Sequence, residues 1–104
     1  MHREKWFHMY IVSSRSKTLY TGFTGNLRQR IYEHKTGAFD GFTKRYKIDR
    51  LVYFERFKYA NNGINREKQV KRWTRIKKMQ LIVSINPTWQ DLAEEWFPEL
   101  KGSA

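Results

Sequence analysis

Residues 19–34 read LYTGFTGNLRQRIYEH, and this stretch decides the fold. Its first five residues are apolar or β-branched around one glycine, a pattern that is typical of a β-strand. Asn26 or Thr24 can then cap a helix predicted over Leu27–Lys35, which ends at Gly37. We therefore predict a strand, a glycine turn and a helix in direct succession.

One side of this predicted helix carries polar groups beside apolar ones. At 100° per residue, Arg30 and His34 border the stripe that contains Leu27 and Ile31. They are one turn apart, so both side chains reach the same small volume. A guanidinium there suits a phosphate, because its donors fork onto two oxygens. Structural roles are the alternatives: an arginine stem covering apolar surface, and a hydrogen-bonded packing histidine.

Two more strands are predicted around that unit. Phe7–Ser13 is aromatic and β-branched, and four polar residues join it to Thr18–Phe23, which predicts a hairpin. Arg50–Phe57 is predicted as a third strand, and its apolar density favours the centre of the sheet. The stretch Gly37–Lys47 has no regular period and is predicted as an ordered loop.

The rest of the sequence is helical in pattern. The asparagine pair at 61–62 can cap a helix over Gly63–Trp73, and Thr74 can cap one over Arg75–Ser84. Apolar residues at helical spacing predict a short last helix over Trp89–Trp96. The order ββαβ followed by helices predicts an α+β fold, a small three-stranded mixed sheet flanked by helices.

Length and composition set the class of protein. With 104 residues we expect one domain over residues 1–98 and a flexible tail over 99–104. The formal charge is +11, with 21 Lys and Arg against 10 acids, which favours a polyanionic partner. Together with 16% aromatic residues, this charge indicates nucleic acid. Nothing in the sequence marks an oligomer interface, so we leave the oligomeric state open.

Two classes of chemistry are excluded by residue content. The sequence has no cysteine, so disulfides, thiolate nucleophiles and cysteine-ligated zinc are ruled out. The apolar run near the N-terminus is short and interrupted by His8, so it fits neither a signal peptide nor a membrane span. We expect a cytoplasmic protein with no membrane partner.

Glu67 stands out because it falls on an apolar stripe. That stripe consists of Ala60, Ile64, Glu67 and Val70, at helical spacing. Burying an uncompensated carboxylate costs several kcal/mol, so Glu67 needs a cation, a metal or a proton. The structural alternatives are an ion pair with Lys71 at i+4 or with Arg30.

Tyr10 and Tyr20 lie on adjacent predicted strands and can share one face. Tyrosines on strands usually pack, and packing alone would account for either residue. A phenol with a pKa near 10 becomes a usable proton acceptor only beside cations, and Arg30 is nearby in the predicted unit.

The combined motifs resemble the GIY-YIG nuclease superfamily. They are Tyr10-Ile11-Val12, Tyr20-Thr21-Gly22, Asn26-Leu27-x-x-Arg30-Ile31-x-x-x-Lys35 with His34 inside it, and Arg66-Glu67-Lys68. The similarity extends through GFTKRY, LVYFE, REKQVKRW and NPTWQDL, so it covers nearly the whole chain. It is greatest to the small single-domain bacterial and archaeal members.

The resemblance implies a metal-dependent endonuclease fold related to the N-terminal nuclease domain of an excinuclease. By analogy, Tyr10 or Tyr20 helps to deprotonate the attacking water, and Arg30 holds the phosphate. Glu67 would bind a single Mg²⁺ or Mn²⁺, and His34 would contact the phosphate or the water. A hard divalent cation tolerates one protein carboxylate when phosphate and waters fill its shell.

The sequence also departs from the family pattern. His8-Met9-Tyr10 stands where the name-giving motif has Gly-Ile-Tyr, and Phe23 follows Gly22 where some nucleases carry a lysine. The missing lysine removes a cation that would lower the pKa of a tyrosine. Asn86 is a candidate for a late asparagine found in some members.

Basic residues predict how a substrate is held. Seven Lys or Arg and one acid lie between positions 66 and 78, although such runs are often only solvated helix faces. The predicted nucleic-acid contacts are Lys44, Arg45, Lys68, Lys71, Arg72 and Arg75. Phe39, Phe42 and Tyr46 are either stacking platforms for bases or core-sealing aromatics.

Two functions from different classes fit the sequence. The first is a divalent-metal-dependent phosphodiesterase acting on DNA, with structured or damaged DNA as candidate substrates. The second is a non-catalytic nucleic-acid-binding module that keeps the fold. A basic protein-interaction domain would explain the charge but leaves the inward Glu67 without a role.

Overall fold

The computed structural model describes residues 5–38 and 41–100. Three strands, β1 (Phe7–Ser13), β2 (Leu19–Thr24) and β3 (Arg50–Phe57), form one sheet in the order β2-β1-β3. The helices are α1 (Leu27–Thr36), α2 (Phe42–Arg45), α3 (Ala60–Lys71) and α4 (Arg75–Ile85). The predicted α+β class and the order ββαβ followed by helices are confirmed, and α2 lies within the predicted loop.

The sheet is antiparallel throughout rather than mixed, and β1 rather than β3 is its centre. Tyr10 of β1 lies opposite Gly22 on one side and Phe54 on the other. Strands β2 and β3 do run in the same direction, but β1 separates them, so no parallel pair forms. The apolar residues of β3 are explained by the burial of Leu51, Val52 and Tyr53, although β3 is an edge strand.

Side chains that alternate along β1 divide the core in two. Tyr10 and Val12 pack with Leu27 and Ile31 under α1. Met9 and Ile11 point to the opposite face, in a second cluster with residues from α3 and α4. Because successive strand residues face opposite sides, the sheet is covered on both.

The caps of α1 follow the sequence closely. Asn26 Oδ1 accepts a hydrogen bond from the amide of Gln29 at 3.1 Å, and Gly37 ends the helix with φ of 71°. Thr24 Oγ1 accepts from the amide of Asn26 at 3.0 Å, which sets the turn that precedes the helix. Leu27, Ile31 and His34 are the buried residues of α1.

Helix α3 begins earlier than predicted. Tyr59 occupies its N-cap position with no side-chain cap, so the predicted capping by the 61–62 pair is wrong. The helix packs against the sheet at Gly63, where a Cβ atom would lie 2.7 Å from Phe23 Cε1. Thr74 caps α4 as predicted, with its hydroxyl accepting from the amide of Lys77.

The predicted helix over Trp89–Trp96 is wrong, because side-chain hydrogen bonds organise this segment as turns. Asp91 Oδ1 accepts from the amides of Leu51 and Ala93, at 3.1 and 3.0 Å. Lys35 Nζ forms an ion pair with Asp91. Such local side-chain bonds compete with helical ones, and they fasten the C-terminal segment to β3 and α1.

Asn86 also attaches the C-terminal segment to β3. It is buried, its Nδ2 donates to the carbonyls of Val52 and Gln90, and its Oδ1 accepts from the amide of Gln90. Pro98–Leu100 form a 3₁₀ turn, and residues 101–104 of the predicted tail lie outside the described residues. No helix in the described ranges combines the length and apolar character needed to cross a bilayer.

Candidate active site

The site begins with the position of the Tyr10 ring over β2. Tyr10 faces Gly22 across the β1–β2 pair, and a Cβ atom at position 22 would lie 2.5 Å from both Cζ and Oη of Tyr10. Real Cβ atoms do not approach other atoms so closely. The glycine therefore lets the phenol lie across β2, where any other residue would push it away.

Tyr10, Tyr20 and His34 form an aromatic triad. The hydroxyl of Tyr10 lies 3.1 Å from His34 Nε2, and the two rings meet edge to face. The ring centroid of Tyr20 is 5.5 Å from that of His34 and 6.4 Å from that of Tyr10. Strand and helix thus bring three predicted site residues into contact.

Burial controls the protonation of Tyr10 and His34. It lowers the pKa of His34 to about 4, with a further contribution from the Arg30 charge, so the imidazole is neutral at neutral pH. Burial also raises the pKa of Tyr10, as does Tyr20, while Arg30 acts in the opposite direction. The hydrogen bond therefore joins a protonated phenol to a neutral imidazole.

Arg30 lies at the edge of the triad on α1. Its side chain is 38% exposed, and its Nε lies 3.8 Å from Glu33 Oε1. The helical positions predicted from the sequence put Glu33 on another side of the helix, so this pair was not expected, although the i,i+3 spacing was a signal for it. Arg30 is close enough to affect the pKa of both Tyr10 and His34.

Glu67 points inward from α3, as predicted. Its side chain is 12% exposed, and Lys71 Nζ lies 2.9 Å from Glu67 Oε1. The i+4 ion pair that was the structural alternative is therefore present. The hydrogen bond from Lys71 to Glu67 raises the pKa of Lys71, whose Nζ is also 6.0 Å from the centroid of the Tyr20 ring.

The structure thus brings together all five predicted catalytic residues. They are Tyr10, Tyr20, Arg30, His34 and Glu67, called the five-residue cluster below. Glu67 belongs to it because its charge is near enough to raise the pKa of Tyr10.

The cluster offers a metal a single carboxylate. In residues 5–38 and 41–100, no group of three or more His, Asp or Glu side chains is arranged to hold a metal ion. A magnesium-like cation keeps several waters and takes phosphate oxygens, so one carboxylate fits it. The ammonium of Lys71 lies 2.9 Å from Glu67 Oε1, so a cation bound by this carboxylate would have to compete with it.

The predicted nucleic-acid contacts divide into two groups, and all six residues are exposed. Lys68, Lys71, Arg72 and Arg75 lie around the junction of α3 and α4, and Lys71 links this group to the cluster. Lys44 and Arg45 lie on α2. Of the candidate stacking aromatics, Phe42 and Tyr46 are half exposed and contact each other, while Phe39 lies outside the described residues.

Comparison with known proteins identifies the arrangement. Residues 6–80 match the model of the GIY-YIG catalytic domain. The chain belongs to the GIY-YIG family. The matched range contains the whole five-residue cluster and ends before Asn86, whose hydrogen bonds are those of a structural residue.

GIY-YIG relatives occur in bacteria and archaea. A UPF0213 protein of Clostridium perfringens is 39% identical over 77 residues, which cover 74% of this chain and 83% of that protein. A UPF0213 protein of Haloquadratum walsbyi is 36% identical over 76 residues, covering 73% and 85%.

A solved structure has the same fold. The solution NMR structure of a UPF0213 protein from Bacillus halodurans superimposes with a TM-score of 0.55 at 25% identity, covering 86% of this chain and 97% of that one. The resemblance deduced from the motifs, including small single-domain members, is confirmed by these matches.

Proposed function

We propose that this GIY-YIG protein is a divalent-metal-dependent endonuclease that hydrolyses phosphodiester bonds in DNA, with structured or damaged DNA as candidate substrates. The observation that carries the proposal is the Tyr10–His34 hydrogen bond, with the Arg30 guanidinium and the inward Glu67 carboxylate both near enough to act on the pKa of Tyr10. A general base, a phosphate ligand and a metal ligand would thus be available in one place.

Tyr10 and His34 would activate the water as a relay. The attacking water would give a proton to Tyr10 Oη while the phenol passes its own proton to His34 Nε2, 3.1 Å away, which leaves hydroxide to attack the phosphorus. Tyr10 is only 1% exposed, so the step requires that substrate binding admit this water to Oη. This step needs a neutral imidazole, which burial maintains at neutral pH by lowering the pKa of His34. The same low pKa makes His34 a weak proton acceptor. A free phenolate never forms, in keeping with the raised pKa of Tyr10.

Arg30 and Tyr20 would hold the reacting groups. Arg30 would leave its 3.8 Å contact with Glu33 and bind the scissile phosphate. Its guanidinium can donate two parallel hydrogen bonds to two phosphate oxygens. Tyr20 packs against the imidazole of His34 and so fixes the direction of Nε2. It is a positioning residue in this mechanism, with Tyr10 as the proton acceptor.

Glu67 would hold the divalent cation, Mg²⁺ or Mn²⁺, once its ion pair with Lys71 has broken. When bound, such a cation neutralises charge on the leaving oxygen. The displaced ammonium of Lys71 stays near the Tyr20 ring, where it can meet substrate phosphate. The basic residues of α3 and α4 would contact the DNA backbone, so binding should be steeply dependent on salt.

A non-catalytic nucleic-acid-binding module is the second candidate. It is favoured by the ion pair of Glu67 with Lys71, which leaves the carboxylate already neutralised. In that case the cluster would serve only the fold, and the basic surface would do the binding.

Cleavage assays separate the two candidates. Purified protein is incubated with supercoiled, branched and single-stranded DNA and with RNA, in Mg²⁺ and in Mn²⁺. We expect nicking of DNA in the wild type, and loss of nicking with retained binding in Glu67→Ala and Arg30→Ala. Glu67→Gln is the matched control for Glu67→Ala, because it removes the charge of the carboxylate but keeps the side-chain volume.

The outcomes point in different directions. Cutting at the wild-type rate in Glu67→Ala would refute the metal role of Glu67 and with it the mechanism. Binding without turnover in either metal would establish the second candidate. Preferential cutting of RNA would keep the mechanism and replace the proposed substrate.

A further inference from the structure

A second concave surface lies on the same face of the sheet as Tyr10. It is a groove of about 400 Å³ whose aromatic and polar lining includes Trp6, His8, Asn26, Arg28, Phe54 and Trp96. This volume is within the range of about 300–1,000 Å³ that is usual for small-ligand sites. We call it the aromatic groove; neither the family match nor the proposed mechanism gives it a role.

The aromatic groove is adjacent to the five-residue cluster through the central strand. Phe54 lies directly opposite Tyr10 across the β1–β3 pair, while Gly22 faces Tyr10 on the other side. Neighbouring strands are about 5 Å apart, and the phenol of Tyr10 lies across β2, so the Tyr10 hydroxyl and Phe54 are separated by about two strand spacings. A strand of nucleic acid with its phosphate at the cluster has its neighbouring nucleotide within reach of the groove.

The walls of the groove are held in place before any ligand binds. Arg28 Nη2 donates to the backbone carbonyl of Trp96 at 2.7 Å, which holds the C-terminal segment around Trp96 against α1. Arg56 stacks on Trp6, with Cζ 4.2 Å from the ring centroid. The rings of His8 and Phe54 meet edge to face at 5.9 Å. Preorganised walls reduce the entropy cost of binding.

The lining chemistry selects a planar, hydrogen-bonding and anionic ligand. Trp6, Phe54 and Trp96 supply stacking faces, and two arginines bring positive charge to the rim. His8 also lines the groove, where its imidazole is edge to face with Phe54. Imidazole, indole and amide groups in this lining give the edge of a base polar partners.

We infer that the aromatic groove binds an unpaired nucleobase of the strand held at the cluster, so that the preferred substrate is DNA with an unpaired nucleotide. The inference rests on the proposed function and narrows its substrate class. A base in an intact duplex is already stacked and cannot enter a groove walled by side chains. An unpaired base enters without breaking a pair.

Binding measurements in the Glu67→Ala background test this without turnover. The two probes are a fully paired DNA duplex and the same duplex with one extra, unpaired 2-aminopurine. We expect tighter binding of the second probe and quenching of its fluorescence as the base stacks. In this background, Phe54→Leu and Trp6→Leu should each weaken binding of the second probe about tenfold, since stacking on an aromatic side chain contributes that much per base. Binding of the paired duplex should change less than about twofold, because it places no base on these rings.

Tyr59→Leu is the matched control, because Tyr59 is 63% exposed and does not line the groove. It should change neither binding constant. Leucine keeps apolar volume at each site, and urea unfolding of every variant verifies the fold. If Phe54→Leu and Trp6→Leu weaken binding of both probes equally, or weaken neither, the groove does not bind a base. The proposed nuclease activity would not be affected by that result. If the Glu67→Ala protein binds no DNA, the proposed function itself fails.

Discussion

The hydroxyl of Tyr10 lies 3.1 Å from Nε2 of His34, joining the central strand to α1 across 24 positions of sequence. The bond exists because β2 places a glycine opposite Tyr10 and because α1 turns its last buried residue towards the sheet. A small change in either element would break it.

Gly22→Ala tests the space above β2. The new Cβ atom would lie 2.5 Å from the Tyr10 ring, so the phenol must shift and lose its contact with His34. We expect a loss of about 1–3 kcal/mol in the free energy of unfolding, as is usual for overpacking, and a fall of at least about tenfold in DNA cutting. Urea unfolding and initial cutting rates measure the two effects.

The control for Gly22→Ala is the same substitution in a Tyr10→Leu background. The ring atoms that the methyl group would strike are then absent, so the added methyl should cost little stability. An equal cost in both backgrounds would show that the phenol is not what requires the glycine.

Lys71→Met tests the competition between ammonium and metal for Glu67. Removing the ammonium leaves the carboxylate to the divalent cation, so half-maximal cutting should need less Mg²⁺. The shift should be about two- to fivefold, because an ion pair whose ammonium is exposed, as that of Lys71 is, contributes up to about 1 kcal/mol. Titration of the cutting rate with Mg²⁺ measures it.

Lys68→Met is the matched control for that titration. Lys68 lies on the same helix and is exposed. Its loss should weaken DNA binding by a similar charge effect but leave the Mg²⁺ requirement as in the wild type. The same shift in both variants would mean that net charge, and not the ion pair, sets the requirement.

The stability of the protein should fall with acidity through His34. Its pKa is lowered from 6.5 to about 4, first by burial and then by Arg30, so the unfolded chain takes up the proton at higher pH than the folded one. The stability that depends on the neutral ring is complete above about pH 6.5 and is lost between about pH 6.5 and pH 4. Between about pH 7 and pH 5 we expect a decrease of about 2 kcal/mol from this residue.

Urea unfolding of the wild type and of His34→Gln at both pH values measures that decrease. His34→Gln should show a flatter dependence, with a residual slope from His8, whose pKa is lowered by burial and by Arg56. The double variant with His8→Gln should be flatter still. Identical slopes in the wild type and His34→Gln would contradict the shift at His34.

Asn86→Ala separates a structural role from a catalytic one. The change removes hydrogen bonds to the carbonyls of Val52 and Gln90 from a buried site. We expect a loss of about 2–4 kcal/mol in the free energy of unfolding, with an unchanged cutting rate per folded molecule. Asn62→Ala, at an exposed position of α3, should cost less than about 0.5 kcal/mol. Lost cutting in an undamaged fold would instead assign Asn86 to the reaction.

Much of the candidate site could be predicted because its residues lie in regular elements. Helical spacing alone places His34 beside the buried stripe, and the structure buries it with Leu27 and Ile31. The same spacing places Glu67 on an inward face, where the structure has it. The pairing of Glu67 with Lys71 also follows from i+4 spacing. What spacing cannot provide is the register of β1 against β2, which decides that Tyr10 faces Gly22 and not a bulky neighbour.

The errors arise where long-range contacts override local pattern. Trp89 adopts φ of 57° and packs on one core, while Ala93 and Phe97 pack on the other. Apolar residues at helical spacing are thus distributed over two clusters, and the Asp91 hydrogen bonds replace those of a helix. The mixed sheet was a similar error, because chain order does not reveal that β1 inserts between β2 and β3.

The segment that follows residue 80 lies outside the family match but completes both hydrophobic cores. Residues 6–80 carry the whole family match and the five-residue cluster, yet Asp91 ties Lys35 to the amide of Leu51 from beyond that range. A fragment cut at residue 80 would lack the buried side chains of Ile82, Trp89, Ala93 and Phe97. Its two cores would open to water even though every residue of the proposed chemistry remained. We therefore expect the shortest stably folded polypeptide to extend beyond residues 6–80, the range that matches the family model.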